Sequence, residues 1–266
     1  MKNILIIGST GQIGTELTMA LRKHSPNGNV VAGYIPAQPP TEMLKETGPC
    51  EIVDITNAQQ IADVVKKYQV DTIYNLAALL SAVAEAKPQL AWQIGMGGLF
   101  NVLEVARETG AAVFTPSSIA AFGPGTVKDM VPQDTVQRPQ TMYGVTKVSG
   151  ELLSDYYHKR FGVDTRSVRF PGLISNVTLP GGGTTDYAVD IYYAAVREGK
   201  FTCPLKPGTY MDMMYMPDAL RATIELMEAD PTKLIHRNSF NLASMSFEPT
   251  EIIAEVKRLV PELEVK

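Results

Sequence analysis

Asn3-Ile-Leu-Ile-Ile-Gly8-Ser-Thr-Gly11-Gln-Ile-Gly14 opens the chain with a short apolar run, rich in β-branched residues, that ends on glycine. Such a run reads as a strand buried on both faces, and a helix over about 12–23 is expected to follow it. The three glycines between them serve one geometry: a tight turn, close approach of the backbone to a ligand, and free N–H groups at a helix start, where phosphate oxygens bind. Glycine at strand ends is common, so the spacing alone is a weak signal. Its place between an apolar strand and a helix strengthens it.

Working outward, strand-like segments recur at 30–32, 51–54, 72–75, 112–115 and 165–170, with helical stretches between most of them. That alternation predicts an α/β fold, a doubly wound parallel sheet covered on both faces. Two helices read as long, 89–108 and 141–161. Beyond Pro171 the pattern changes to Pro/Gly-rich loops at 180–185 and 203–208, around amphipathic stretches at 187–197 and 248–259. The expected organisation is a dinucleotide-binding domain over 1–172, rejoined by 209–230, with a small C-terminal substrate-binding lobe built from 173–208 and 231–266.

Composition narrows the partners. The 266 residues are 45% hydrophobic and 20% charged, which excludes a disordered chain. Lys and Arg number 24 against 28 Asp and Glu, a net charge of -4, so no broad basic surface is expected and nucleic acid is not an expected partner. Cys50 and Cys203 lack metal-ligand spacing, and His24, His158 and His236 lie far apart, so no metal site is expected. No apolar run approaches the roughly 20 residues that span a bilayer. The first strand leads straight into the glycine loop with no room for a leader, so a cytoplasmic location without a membrane partner is expected.

Tyr143-Gly-Val-Thr-Lys147 sets a phenol and an ammonium one turn apart on one helix face. Alone, such a pair is frequent by chance and reads as surface. Here Ser117-Ser118 follows one apolar strand and Phe170-Pro171-Gly172 ends the next, so these features converge at the carboxyl edge of the sheet, where such folds bind ligands. An acidic residue is usual at the end of the second strand, to hold ribose hydroxyls. Tyr34 stands there, with no Arg or Lys to meet a 2′-phosphate; Asp54, ending the third strand, is placed to accept from an adenine amino group.

With the glycine loop, Asn75-Leu-Ala-Ala78, Ser117-Ser118, Tyr143 and Lys147, and Pro171-Gly172 in this order, the chain resembles the extended short-chain dehydrogenase/reductase superfamily over essentially its whole length. Within it the chain looks most like the short-chain L-threonine 3-dehydrogenases. That likeness runs through Ala77-Ala-Leu-Leu-Ser81-Ala, Pro116-Ser-Ser-Ile-Ala-Ala-Phe-Gly-Pro124, Arg169-Phe-Pro-Gly-Leu-Ile-Ser175 and Met213-Met-Tyr-Met-Pro-Asp218. Its most specific stretch is Pro180-Gly-Gly-Gly-Thr-Thr-Asp-Tyr-Ala188.

The resemblance implies a Rossmann sheet, NAD as cofactor, and oxidation of the 3-hydroxyl of L-threonine to 2-amino-3-oxobutanoate. It implies Tyr143 as general base, Lys147 as the charge beside it, and Ser118 as hydrogen-bond donor to the hydroxyl oxygen. Ser118 is preferred to Ser117 because it stands five residues before Gly123. A free phenol ionises near pH 10, and bringing that to about 7 takes roughly 4 kcal/mol of differential stabilisation, for which Lys147 and the positive nicotinamide ring are the available sources. Carried over position by position, the NAD contacts are Gly8, Gly11, Gln12, Ile13, Gly14, Asp54, Ile55, Leu76, Ala77, Ala78, Tyr143, Lys147 and Pro171. The L-threonine contacts are Ser81, Ser118, Tyr143, Gly183, Thr184 and Thr185. Residues 173–187 include no Arg or Lys, so the substrate carboxylate is expected to rest on hydroxyls and glycine-loop amides, and the loop is a candidate lid. The resemblance also implies a homodimer, packed through 89–108 and 141–161.

Three features depart from the family pattern. Tyr34 takes the place of the ribose-binding acid. Gly95, in Trp92-Gln-Ile-Gly95, takes the place of an Asn that supports the active-site lysine. The chain also stops at Lys266, earlier than most members. The enzymatic rival is a nucleotide-sugar epimerase or dehydratase of the same superfamily. Those usually carry an Arg where Met211 stands, and a pyrophosphate without it loses a strong bidentate partner. A non-catalytic dinucleotide-binding protein is the rival of another class, and it would have no need of Tyr143, Lys147 and Ser118 together.

Overall fold

Along β1 (Asn3–Ile7) successive side chains leave opposite faces of the sheet. In the computed structural model of the chain, which describes residues 1–266, both sets are buried. Ile4 and Ile6 enter one apolar cluster with Leu17, Leu21, Tyr74 and Phe114, while Leu5 and Ile7 enter another with Val31, Ile73, Leu103 and Val113. A continuous apolar strand is what a sheet covered on both faces requires.

The first half of the chain alternates as its sequence predicts. β1 leads to α1 (Gln12–His24), β2 (Asn29–Tyr34), α2 (Glu42–Thr47), β3 (Cys50–Ile52), α3 (Ala58–Tyr68) and β4 (Thr72–Asn75). Then come α4 (Ser81–Ala86), α5 (Pro88–Trp92), a π-helical turn over Gln93–Gly97, α6 (Gly98–Thr109), β5 (Ala112–Phe114) and β6 (Ser117–Ser118). α7 (Met142–Phe161) precedes β7 (Thr165–Arg166). The central sheet has the order β3-β2-β1-β4-β5-β7 with every pair parallel. Strand order reverses between β1 and β4, and ligands bind beyond the carboxyl ends of strands at such a switch point.

Two expected elements are divided. The helix expected over 89–108 contains the π turn at Gln93–Gly97, and next to it Gly98 lies so close to the core that a Cβ there would meet the Ile55 side chain at 2.7 Å. The strand expected over 165–170 changes partner at Ser167: β7 closes the central sheet, whereas β8 (Val168–Phe170) pairs with β6. Ser167 marks the break, its hydroxyl accepting the Ser117 N–H at 3.2 Å.

After β9 (Gly172–Ile174) the chain builds a third cluster around α8 (Tyr187–Arg197), β10 (Lys200–Phe201) and β11 (Met211–Tyr215). Tyr187, Ala188, Ile191 and Ala195 pack there with Met213. α9 (Met216–Glu228) returns to the main body, adding Ala219, Leu220, Ile224 and Met227 to the cluster that holds Ile4 and Leu17. The small lobe is narrower than 173–208 plus 231–266. β12 (Phe240–Asn241) pairs with β8 in the main body, because the Phe240 N–H finds the Ser167 carbonyl at 2.9 Å. Only β13 (Met245–Phe247), α10 (Pro249–Leu259) and β14 (Glu264–Val265) complete the lobe, through Ile252, Val256 and Leu263. No helix is long and apolar enough to cross a membrane, and no group of three or more His, Cys, Asp or Glu side chains converges as a metal site.

Candidate active site

The glycine loop is built by contacts that admit no side chain. Gly8 adopts φ +83, and a Cβ on it would lie 3.0 Å from the Ala77 nitrogen; a Cβ on Gly14 would lie 2.2 Å from the Gly8 carbonyl oxygen. Gly11, the residue before α1, offers no side-chain cap, and the first turn of α1 has no acidic residue, so its leading N–H groups remain free for an anion. They face a cavity of about 390 Å³ that Gly8, Gly11, Gln12, Ile13 and Gly14 all line. Gln12 Nε2 is buried there without a hydrogen-bond partner. The free helix terminus, the side-chain-free approach and the orphaned amide fit a dinucleotide phosphate group.

The same cavity carries the polar trio. Thr141 caps α7 by accepting the Gly144 N–H at 3.1 Å, which puts Tyr143 in the first turn. Gly144 lets that turn come close, since a Cβ would fall 2.3 Å from the Ala120 carbonyl. Lys147 Nζ donates to the Pro116 carbonyl at 2.7 Å and sits 5.2 Å from the centre of the Tyr143 ring. The geometry separates the two serines. The Ser117 hydroxyl is committed to Glu151, whereas Ser118 Oγ accepts the Ala120 N–H at 3.2 Å and keeps its own proton to donate. Behind Lys147 a smaller cavity of about 40 Å³, a size that accommodates water, is lined by Gly95, Asn75 and Thr115 among others. Asn75 Oδ1 and Thr115 Oγ1 are buried without a partner.

Most positions carried over from the resemblance line the larger cavity: besides the loop and the trio, Leu76, Ala78, Ser81, Pro171, Gly183, Thr184 and Thr185 do so. Asp54, Ile55 and Ala77 do not. Asp54 Oδ1 is engaged by the Thr56 N–H and hydroxyl, Ile55 is a core residue, and Ala77 lines the smaller cavity while backing Gly8. The expectation that glycine-loop amides hold a substrate carboxylate is corrected at Gly182 and Gly183, whose N–H groups both donate to Asp186 Oδ2, at 2.8 and 2.6 Å. Asp186 stands inside the Gly181-Gly-Gly-Thr-Thr-Asp186 run, where nothing in the sequence sets it apart. It is the sole acidic residue in the cavity wall and Lys147 the sole basic one. The site can therefore seat a small molecule bearing a cation beside a hydroxyl.

A model of the NAD dependent epimerase/dehydratase family matches residues 4–243. An uncharacterized epimerase/dehydratase of Staphylococcus haemolyticus is 54% identical over 261 residues, covering 98% of this chain and 82% of that protein. Among solved structures, the L-threonine dehydrogenase of Clostridium difficile superposes with a TM-score of 0.93 at 56% identity, over 100% of this chain and 83% of that one. The holo form of a GalE-like L-threonine dehydrogenase from Cupriavidus necator gives a TM-score of 0.94 at 48% identity, over 99% and 85%.

Proposed function

The chain belongs to the NAD dependent epimerase/dehydratase family, an extended short-chain dehydrogenase/reductase family, and from that premise we propose that it oxidises the 3-hydroxyl of L-threonine with NAD, giving 2-amino-3-oxobutanoate. The observation that carries this reading is the convergence of Ser118, Tyr143 and Lys147 with the glycine loop in the wall of one cavity. The likeness to the two L-threonine dehydrogenases supports the substrate.

NAD supplies a hydride acceptor when bound. The chain's own groups supply the rest. The glycine loop and the start of α1 hold phosphate, and Pro171 with Tyr143 and Lys147 bounds the space beside it. The Ser118 O–H donates to the substrate hydroxyl oxygen, and Tyr143 is the general base for the hydroxyl proton. Lys147, fixed by the Pro116 carbonyl, keeps a positive charge next to that phenol. The free Oδ1 of Asp186 pairs with the substrate ammonium, and the hydroxyls of Ser81, Thr184 and Thr185 receive the carboxylate.

A nucleotide-sugar epimerase or dehydratase fits the wall less well. No arginine lines the cavity and Met211 does, so a sugar-nucleotide pyrophosphate would lack a bidentate partner. The deciding experiment follows NAD reduction by absorbance with L-threonine as substrate, beside Tyr143→Phe. Reduction that disappears in the variant is expected. Absence of reduction by a chain that still binds NAD in calorimetry would refute the assignment of L-threonine.

A further inference from the structure

Ser117, Glu151 and Arg169 form a buried network directly behind the site. Arg169 meets Glu151 in two parallel bonds, Nε to Oε1 at 3.0 Å and Nη2 to Oε2 at 2.7 Å, and both side chains are 3% exposed. Glu151 Oε1 also accepts the Ser117 hydroxyl, and Oε2 accepts Gln137 Nε2 at 3.1 Å. Arg169 Nη1 donates to the Gln133 carbonyl at 3.0 Å and to Asn241 Oδ1 at 2.8 Å, so the pair is satisfied on every side.

Taking two charges out of water is costly, and apolar residues of equal volume often hold a core as well or better. What a planar two-point pair adds is orientation. Here the orientation is aimed at the site. Tyr143, Lys147 and Glu151 follow one another at four-residue steps on one face of α7. Ser117 precedes Ser118 in β6 and stands opposite Arg169 in the β6–β8 ladder. The helix that carries the base is thus pinned at two consecutive residues where the chain enters the serine strand, at Pro116 by Lys147 and at Ser117 by Glu151.

We propose that the Arg169–Glu151 pair is the positioning device for the reaction: acting through the Ser117 hydroxyl, it sets Ser118 in register with Tyr143. Neither Glu151 nor Arg169 reaches the wall of the larger cavity, so both are positioning residues that act through Ser117. The inference rests on the oxidation proposed above.

The test uses the full chain with Ser117→Ala, Glu151→Gln and the double variant. It measures turnover of L-threonine, NAD affinity by calorimetry, and hydrogen exchange at the Ala120 amide, which bonds Ser118 Oγ. Each single variant is expected to lose about ten- to a hundredfold in kcat, as a small misplacement of reacting groups costs. KM and NAD affinity should stay within about twofold, since the binding contacts are intact. Ala120 exchange should quicken, and the double variant should be no slower than the slower single one, because both act in one device. A kcat within about twofold of the parent in Ser117→Ala, unaltered exchange, or losses that multiply in the double variant would each overturn the proposal. Should Glu151→Gln not fold, Ser117→Ala alone decides, because it removes one hydroxyl and leaves the ion pair in place. A parent chain that binds NAD but does not oxidise L-threonine overturns the proposed function instead, and the exchange measurement then decides the positioning role.

Discussion

A Cβ placed on Gly14 would stand 2.2 Å from the carbonyl oxygen of Gly8 and 2.8 Å from the Cα of Ser9. The first turn of α1 is folded against the end of β1 with only hydrogen between them, and that closeness directs the free N–H groups into the cavity. Gly14→Ala must push backbone from backbone. NAD affinity is expected to fall about tenfold or more, a loss of about 1.4 kcal/mol, with helical content retained. Calorimetry beside circular dichroism reads both; undiminished affinity would place the dinucleotide elsewhere.

β2 ends on Tyr34, where a carboxylate would accept ribose hydroxyls and repel a 2′-phosphate. A phenol does neither strongly. NAD and NADP are therefore expected to bind within about tenfold of each other, and Tyr34→Asp should widen the preference for NAD to about a hundredfold. Paired titrations of both cofactors check this. A native chain that already prefers NAD by the wider margin draws its discrimination from some other contact.

What the sequence discloses here is chemistry carried by local spacing. The glycine loop, Tyr143 and Lys147 are legible because a turn and a helix bring residues three and four apart together whatever the rest of the chain does. The break at Ser167 is not legible, since it depends on β12 arriving from more than seventy residues downstream to take its carbonyl. Glu151 reads as an ordinary helix acid until Arg169, eighteen residues on, is found against it. Asp186 belongs to a legible motif, yet its bonds to Gly182 and Gly183 exist only once the loop closes on itself.

That closure makes a prediction about Asp186. Its Oδ2 orders the loop through two amides, and the proposed ammonium contact falls to Oδ1. Asp186→Asn keeps the size and one acceptor oxygen but removes the charge. KM for L-threonine is expected to rise about tenfold or more, with kcat changed much less, as when binding common to ground and transition states is removed. Steady-state kinetics decide it, and an unchanged KM would remove Asp186 from ammonium recognition.

Phe100, Leu152 and Tyr156 are 49%, 64% and 54% exposed. Tyr157, buried beneath them, packs edge-on against both exposed rings, Phe100 of α6 at 5.9 Å and Tyr156 of α7 at 6.0 Å. Exposed apolar side chains gathered on two neighbouring helices are suited to a partner's surface, and we propose that a second copy of the chain covers them. Sedimentation is expected to show a dimer that Leu152→Asp with Tyr156→Asp converts to monomer. A monomeric parent chain at micromolar concentration would refute the assembly.

Asp164 lies between two arginines, Arg166 Nη2 at 2.8 Å from Oδ2 and Arg237 Nη1 at 2.5 Å from Oδ1. Burial acts to raise its pKa, but the bonds and charges of Arg166 and Arg237 outweigh it and hold the carboxyl below the ordinary aspartate range. A depressed folded-state value means that the unfolded chain binds the proton first as pH falls. The stability from this group is therefore present above about pH 4 and is lost as pH drops through the depressed folded value. Asp164→Asn should cost about 1.5–3 kcal/mol at neutral pH, the range for bonds to charged groups. The gap between parent and variant should close as pH falls below about 4. Urea unfolding at stepped pH measures it, and a gap that stays constant down to acid pH would show that the carboxylate's charge contributes nothing to the fold.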